Sequence, residues 1–307
     1  TAVWSTMRAI PPSAPCSIGQ YWGAASYLQI LASELSDKLL AEILELDEGK
    51  LLEKFSDRRS NDCLLRYRVD RVMADALRDS CNIFFYNVGI NTGIKALTKK
   101  AQEYGLGEPT GVELSESIGV NAGPDYSEKV GAVWTDGNTL SAAIGQSDNQ
   151  FSPLQLANYI ATLVNGGTRY SAHLLKEVKS SDFSQVLYTY EPEVLDSIDI
   201  QPENLDAVKA GMLALTTGKG SLARYFQDLP VQVGTKTGSA QVNAETESNA
   251  VFVCFAPYDD PQIAISLVVE KGGSGSTLAS IAADILRYYF SAEESREETL
   301  TENTLIR

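Results

Sequence analysis

Apolar residues recur at helical spacing through the first two thirds of the chain, then gather in short β-branched and aromatic runs in the last third. Residues 1–16 are rich in proline and small residues and read as an irregular segment. A helical pattern follows in "SIGQYWGAASYLQILASEL", which Ser17 opens. From there to about Phe55, carboxylates separate Leu39, Leu40, Ile43, Leu44 and Leu46, the pattern of a solvated amphipathic helix pair. "VDRVMADALRDSCNIFFYNVGINTGIKALTKKAQEYGLG" predicts two helices, the first broken near "DSCN", with a glycine stop at Gly105 and Gly107. "GVELSESIGVNAGPDYS" reads as loop. "SPLQLANYIATLVNGG" carries a capping Ser152, Pro153 in the first turn and a stop at Asn165-Gly166-Gly167, and predicts a helix.

The last third changes period. "LPVQVGTKTGSAQV", "NAVFVCFAPYDD" and "PQIAISLVVEKGG" are rich in Val, Ile and Phe and are joined by polar or proline-containing turns. They predict three consecutive antiparallel strands between Gln232 and Lys271, with a helix from Ser274 to Phe290 packed on them. From Ser291 the charged "SAEESREETLTENTLIR" has too few apolar residues to hold it to a core and is expected to be a disordered or loosely attached tail. The expected class is α+β, an α/β sandwich of antiparallel sheet and flanking helices. No internal repeat is present.

Composition narrows the function. The 307 residues are 44% hydrophobic and 21% charged, ordinary for a globular chain that buries a core. A net charge of −15 argues against nucleic acid or an anionic membrane as partner, since those surfaces select basic patches. No run of about 18 apolar residues and no basic-then-apolar start occurs, so the segment reads without a transmembrane helix or signal peptide. Cys16, Cys63, Cys81 and Cys254 are scattered, without the spacing of a metal site or a dense disulfide framework. No cofactor or metal is expected. The single histidine, His173, sits in "RYSAHLLKEV" and reads as a surface or strand residue, which leaves little room for a His-based triad.

Two short motifs remain. "GTKTGS" places Lys236 between glycines and small hydroxylated residues on the first predicted strand. Alone, such a run is adequately explained as a turn, because glycine supplies the backbone conformations that turns need. Ser80-Cys81-Asn82 lies at the break in the helical region. Together, an S-x-N and a K-T-G in this order match two of the three motifs of penicillin-binding proteins and serine β-lactamases, whose third is S-x-x-K.

The likeness extends beyond the triplets. "ALRDSCNIFFYNVG", "SAAIGQSDNQFSPLQLANYIATLVNGG", "GTKTGSAQV" and "FAPYDDPQIAISLVVEKGGSGS" resemble the transpeptidase domain of penicillin-binding proteins, over about residues 67–290. The resemblance implies a domain over 1–290, divergent or incomplete over 1–66, followed by the acidic tail 291–307. It also implies a β-lactamase/transpeptidase-like fold and serine acyl transfer on the D-Ala-D-Ala end of peptidoglycan stem peptides, with β-lactams as reactive mimics. Ser80 and Asn82 would relay protons and hold the peptide, Lys236 would charge the cleft, and Thr237, Gly238 and Ser239 would bind the terminal carboxylate. The setting implied is the outer face of a bacterial membrane, in a membrane-anchored cell-wall protein.

The third motif departs from the family. "STMR" from Ser5 keeps the S-x-x-K spacing with Arg8 for lysine but runs into a Pro-Pro pair that breaks a helix. The frame around Ser17 matches better and puts Gln20 where the lysine belongs. A glutamine amide takes no proton near neutral pH, and positioned proton transfer is worth roughly 10²–10⁴ in rate. Ser17 is therefore the candidate nucleophile of a transpeptidase-type enzyme with impaired acylation. A catalytically silent relative that binds cell-wall peptide or partner proteins stands beside it, and a β-lactamase or β-lactam sensor would need the same missing lysine.

Overall fold

The structure, a computed structural model, describes residues 2–5, 72–241 and 246–302. The helices expected between Ser17 and Phe55, and with them Ser17, Gln20 and all of the divergent segment 1–66 except residues 2–5, lie outside the described residues. In chain order, strand β1 (Ala2–Ser5) precedes helices α1 (Val72–Arg78), α2 (Asn82–Thr92), α3 (Ile94–Glu103), α4 (Pro124–Lys129), α5 (Asp136–Ala143) and α6 (Pro153–Val164). Strands β2 (Thr168–Tyr170), β3 (Glu177–Lys179), β4 (Val186–Thr189) and β5 (Val194–Ser197) follow, then helices α7 (Pro202–Ala214) and α8 (Ala223–Phe226). The chain closes with strands β6 (Gly234–Ala240), β7 (Asn249–Ala256) and β8 (Ile263–Val269), a 3₁₀ turn at Gly275–Leu278 and helix α9 (Ala279–Glu302).

The central sheet has the order β1-β8-β7-β6. β6, β7 and β8 are the expected antiparallel meander, with Lys236 opposite Val253 and Val253 opposite Ser266. β1 pairs in parallel with β8 and covers that edge, so β6 is the outer strand among the described residues. Every residue of β7 is buried because helices cover both faces of the sheet. Val251, Val253 and Phe255 point into a core shared with α1, α2, α3, α6 and α7, whose contributions include Leu77, Phe85, Leu97, Ile160 and Val208. The alternate residues Phe252, Cys254 and Ala256 point the other way, against Phe226 of α8 and Ala282, Leu286 and Phe290 of α9.

Local chemistry explains the element ends. α6 opens with a capping box: the Gln155 N–H donates to Ser152 Oγ at 3.1 Å, and the Ser152 N–H donates to Gln155 Oε1 at 2.9 Å. Pro153 costs nothing at this position because its missing N–H would have had no partner. The same helix is buried from Gln155 to Val164, since it passes between the sheet and the other helices.

The structure departs from the pattern in five places, the first being β1, which lies in the stretch 1–16 read as irregular and is held as a strand by its pairing with β8. The region after "DSCN" divides again at Gly93, whose φ of 82° ends α2 and starts α3. A short helix, α4, follows Pro124 in the stretch read as loop. The span from Thr168 to Ser197 forms two two-stranded antiparallel sheets, β2 with β5 and β3 with β4. Their side chains are mostly exposed, so no buried face imprinted a period on the sequence. Finally, α9 runs on to Glu302, twelve residues into the stretch expected to be a loose acidic tail. Glu, Arg and Ala there favour helix without needing a core.

Candidate active site

The site grows from the junction of α1 and α2. α1 ends with the paired hydrogen bonds of a Schellman turn, Cys81 N–H to the Ala76 carbonyl at 2.9 Å and Ser80 N–H to the Leu77 carbonyl at 3.3 Å. This places Ser80 in the left-handed region, with φ of 51°. Glycine is the usual occupant of that position, because any Cβ is strained there. Asn82 then begins α2 and is exposed. Cys81 between them is disulfide-bonded, and Cys254 on β7 is a free, buried thiol.

β6 supplies the other wall. Its residues alternate, so Lys236 points to the side of α1 and α2 while Thr237 and Ser239 fall at alternate positions, half-buried and exposed respectively. Lys236 is fully buried, yet its Nζ donates to Ser80 Oγ at 2.5 Å and to the Thr237 carbonyl at 3.1 Å. Residues 156 positions apart in sequence thus meet at one hydrogen bond. The described residues offer the ammonium no carboxylate, and burial pushes the Lys236 amine down from 10.5 to about 7. Burial thus favours the neutral amine, which can accept a proton from a hydroxyl.

Two further residues shape this wall, and neither stood out from the motifs. Gln146, in the loop after α5, donates from Nε2 to the Ser239 carbonyl at 3.1 Å. Gly145 and Ser147 on either side of it have φ of 81° and 64°, which turn the loop toward β6. The carbonyls of Thr237 and Ser239 therefore face away from β7, and in an antiparallel ladder their N–H groups face the same way. Those two N–H groups lie along the outer edge of β6, where an extended peptide can pair. Gly275 is the second residue: any Cβ there would fall against the carbonyl oxygens of Val251 and Gly238, so the 3₁₀ turn lies directly on the K-T-G strand. The sequence signals were the "IGQS" turn and the "GGSGS" run, but contact with β6 is visible only once the chain is folded.

Of the residues singled out from sequence, Ser80 and Lys236 are in contact, Asn82 follows Ser80 at the head of α2, and Thr237, Gly238 and Ser239 line the same strand. Ser17 and Gln20 lie outside the described residues. Among the described residues no group of histidine, cysteine and carboxylate side chains is placed to hold a metal ion.

Comparison with known proteins agrees with this architecture. The family model for the penicillin binding protein transpeptidase domain matches residues 49–287. The Haemophilus influenzae peptidoglycan D,D-transpeptidase MrdA is 28% identical over 280 residues, which is 84% of this chain and 42% of that protein. Among solved structures, a penicillin-binding protein (PBP2) from Helicobacter pylori aligns with a TM-score of 0.62 at 27% identity, covering 72% of this chain and 40% of that one. Pseudomonas aeruginosa PBP2, solved in complex with WCK 5153, aligns with a TM-score of 0.60 at 29% identity, covering 69% and 47%. The chain thus spans less than half the length of these relatives. With the family match running over most of the chain and the sheet, helical layers and S-x-N/K-T-G contact in place, this chain belongs to the penicillin-binding protein transpeptidase domain family.

Proposed function

We propose that the chain is a penicillin-binding, D,D-transpeptidase-type domain that acts on peptidoglycan stem peptides by serine acyl transfer. The observation that carries this reading is the buried amine of Lys236, hydrogen-bonded to Ser80 Oγ and carried by β6, the outer strand and so the sheet's edge among the described residues. A D-Ala-D-Ala peptide laid along that edge pairs with the outward N–H groups of Thr237 and Ser239, which also hold charge developing on its carbonyl oxygen. The Thr237 and Ser239 hydroxyls supply hydrogen bonds to the terminal carboxylate, with Lys236 and Asn82 completing the polar wall. By resemblance, Ser17 is the nucleophile and Gln20 its neighbour in place of lysine, which makes the acylation slow. The disulfide at Cys81 fits an oxidising, extracytoplasmic setting. No helix among the described residues is long and apolar enough to cross a membrane.

Fluorescent penicillin tests the reading. Covalent, stoichiometric labelling that D-Ala-D-Ala peptides compete away is the expected result, slower than the roughly neutral-pH rates a lysine base would give. Gln20→Lys should raise the rate by roughly 10²–10⁴-fold. The second reading, a silent relative that only binds cell-wall peptide, is favoured by Gln20. It predicts saturable peptide binding with no covalent product.

A further inference from the structure

Resting on the functional reading above, we propose that Asn149 is a positioning residue for the peptide-binding edge of β6. Its buried amide fixes Gln146, and Gln146 in turn fixes the Ser239 carbonyl.

The contacts form an unbroken path. Asn149 is 2% exposed and uses both ends of its amide: Oδ1 accepts from the Ala122 N–H at 2.9 Å, and Nδ2 donates to the Gln146 carbonyl at 2.9 Å. The point of attachment is firm, because Val120 and Gln150, next to this bridge, exchange two backbone hydrogen bonds of 2.7 and 2.9 Å. Gln146 is held at its other end as well. Its N–H donates to the Ser141 carbonyl at 2.9 Å in the turn that closes α5, between Gly145 and Ser147 in the left-handed region. With its N–H and carbonyl both bound, the backbone of Gln146 keeps one orientation, and from it Nε2 reaches the Ser239 carbonyl at 3.1 Å.

The far end of this path is where β6 needs a brace. The strand ends at Ala240 and has a neighbour on one side only among the described residues, so its last residues fray unless something else holds them. Ser239 sits one residue before that end, and a strand already held in its paired shape loses less freedom when a peptide is laid along it. Asparagine suits position 149 for a chemical reason. One short side chain there has to accept from an N–H and donate to a carbonyl, and a buried group left without its partner costs more than the bond itself contributes. The hydrogen bonds of Asn149 go to Ala122 and Gln146, so its effect on a ligand at β6 passes through Gln146.

The experiment is calorimetric titration of the full chain with an N-acetylated peptide ending in D-Ala-D-Ala, for the parent, Asn149→Asp, Gln146→Ala and the double variant. Amide hydrogen exchange over residues 235–240 is followed on the same samples. Asn149→Asp keeps the acceptor for Ala122 and loses the donor for Gln146. Affinity should fall about 5–30-fold in either single variant, the reach of one buried hydrogen bond left unmade, and exchange over 235–240 should quicken. The double variant should bind no more weakly than Gln146→Ala, since both changes cut the same path. An asparagine that only supports the fold would show no such coupling. Losses that multiply in the double variant, or exchange over 235–240 equal to the parent's, overturn the assignment. Gln146→Ala trims a half-buried side chain and leaves both bonds of Asn149 in place, so unchanged affinity there overturns it even where Asn149→Asp does not fold. A parent chain that binds no such peptide overturns the functional reading and this assignment with it, whereas a binding parent with unaffected variants overturns this assignment alone.

Discussion

Lys236 is an amine withdrawn from water with a serine hydroxyl and a carbonyl for company, and that arrangement costs stability while it supplies chemistry. Its proton is bound at about 7 in the folded chain and near 10.5 in the unfolded one. Below about pH 7 both states are protonated and the desolvation cost is present in full. Between about 7 and 10.5 the unfolded chain holds a proton that the folded chain has released, so stability rises with pH over that window. At about 1.4 kcal/mol for each pH unit the gain approaches about 5 kcal/mol. Urea midpoints for the parent chain, measured against Lys236→Met from pH 6 to pH 10, should therefore close toward each other as pH rises. Lys236→Met should be the more stable chain at pH 6, and parallel curves would refute the depressed amine. The motif residues Ser80 and Lys236 were legible in the sequence as types and order. Their contact, and the strained turn beneath Ser80, were not, because a left-handed φ at serine has no signature of its own in sequence.

β6 keeps its position by being held from two sides. On one side Gln146 takes the Ser239 carbonyl, and on the other Gly275 lets the 3₁₀ turn lie against Gly238 and Val251. A methyl group at 275 would meet backbone rather than a flexible side-chain end, so the strand or the turn has to move. Gly275→Ala should cost about 1–3 kcal/mol and reduce penicillin labelling together, as overpacking shifts β6. Full labelling with lowered stability would mean that the turn carries the fold but not the site. The meander β6, β7 and β8 was readable from its Val, Ile and Phe runs, and α6 from Ser152, Pro153 and its terminal glycines. The hairpin sheets between Thr168 and Ser197 were not, since their exposed faces leave no alternation for a reader to find.

The molecule is three layers, and β7 is where they join. Phe255 enters the core under α1, α2, α3, α6 and α7, while Phe252 enters the core under α8 and α9. Both are fully buried, so Phe252→Ala and Phe255→Ala should each cost about 3–5 kcal/mol, within one cooperative thermal transition because a single strand serves both cores. Two separated transitions in either variant would show that the layers unfold independently. The sequence by itself determined the layer class, the strand meander, the best-capped helix and the two motifs that mark the family. Each of these is written in short-range terms: period, cap, turn residue and motif spacing. Only tertiary structure decided that β1 closes the sheet edge at β8, leaving β6 as the outer strand among the described residues, and that Gln146 and Gly275 frame the K-T-G strand. It alone also decided that Lys236 loses its water against Ser80, because burial and long-range contact are properties of the packed chain, and desolvation is what changes the chemistry of that amine.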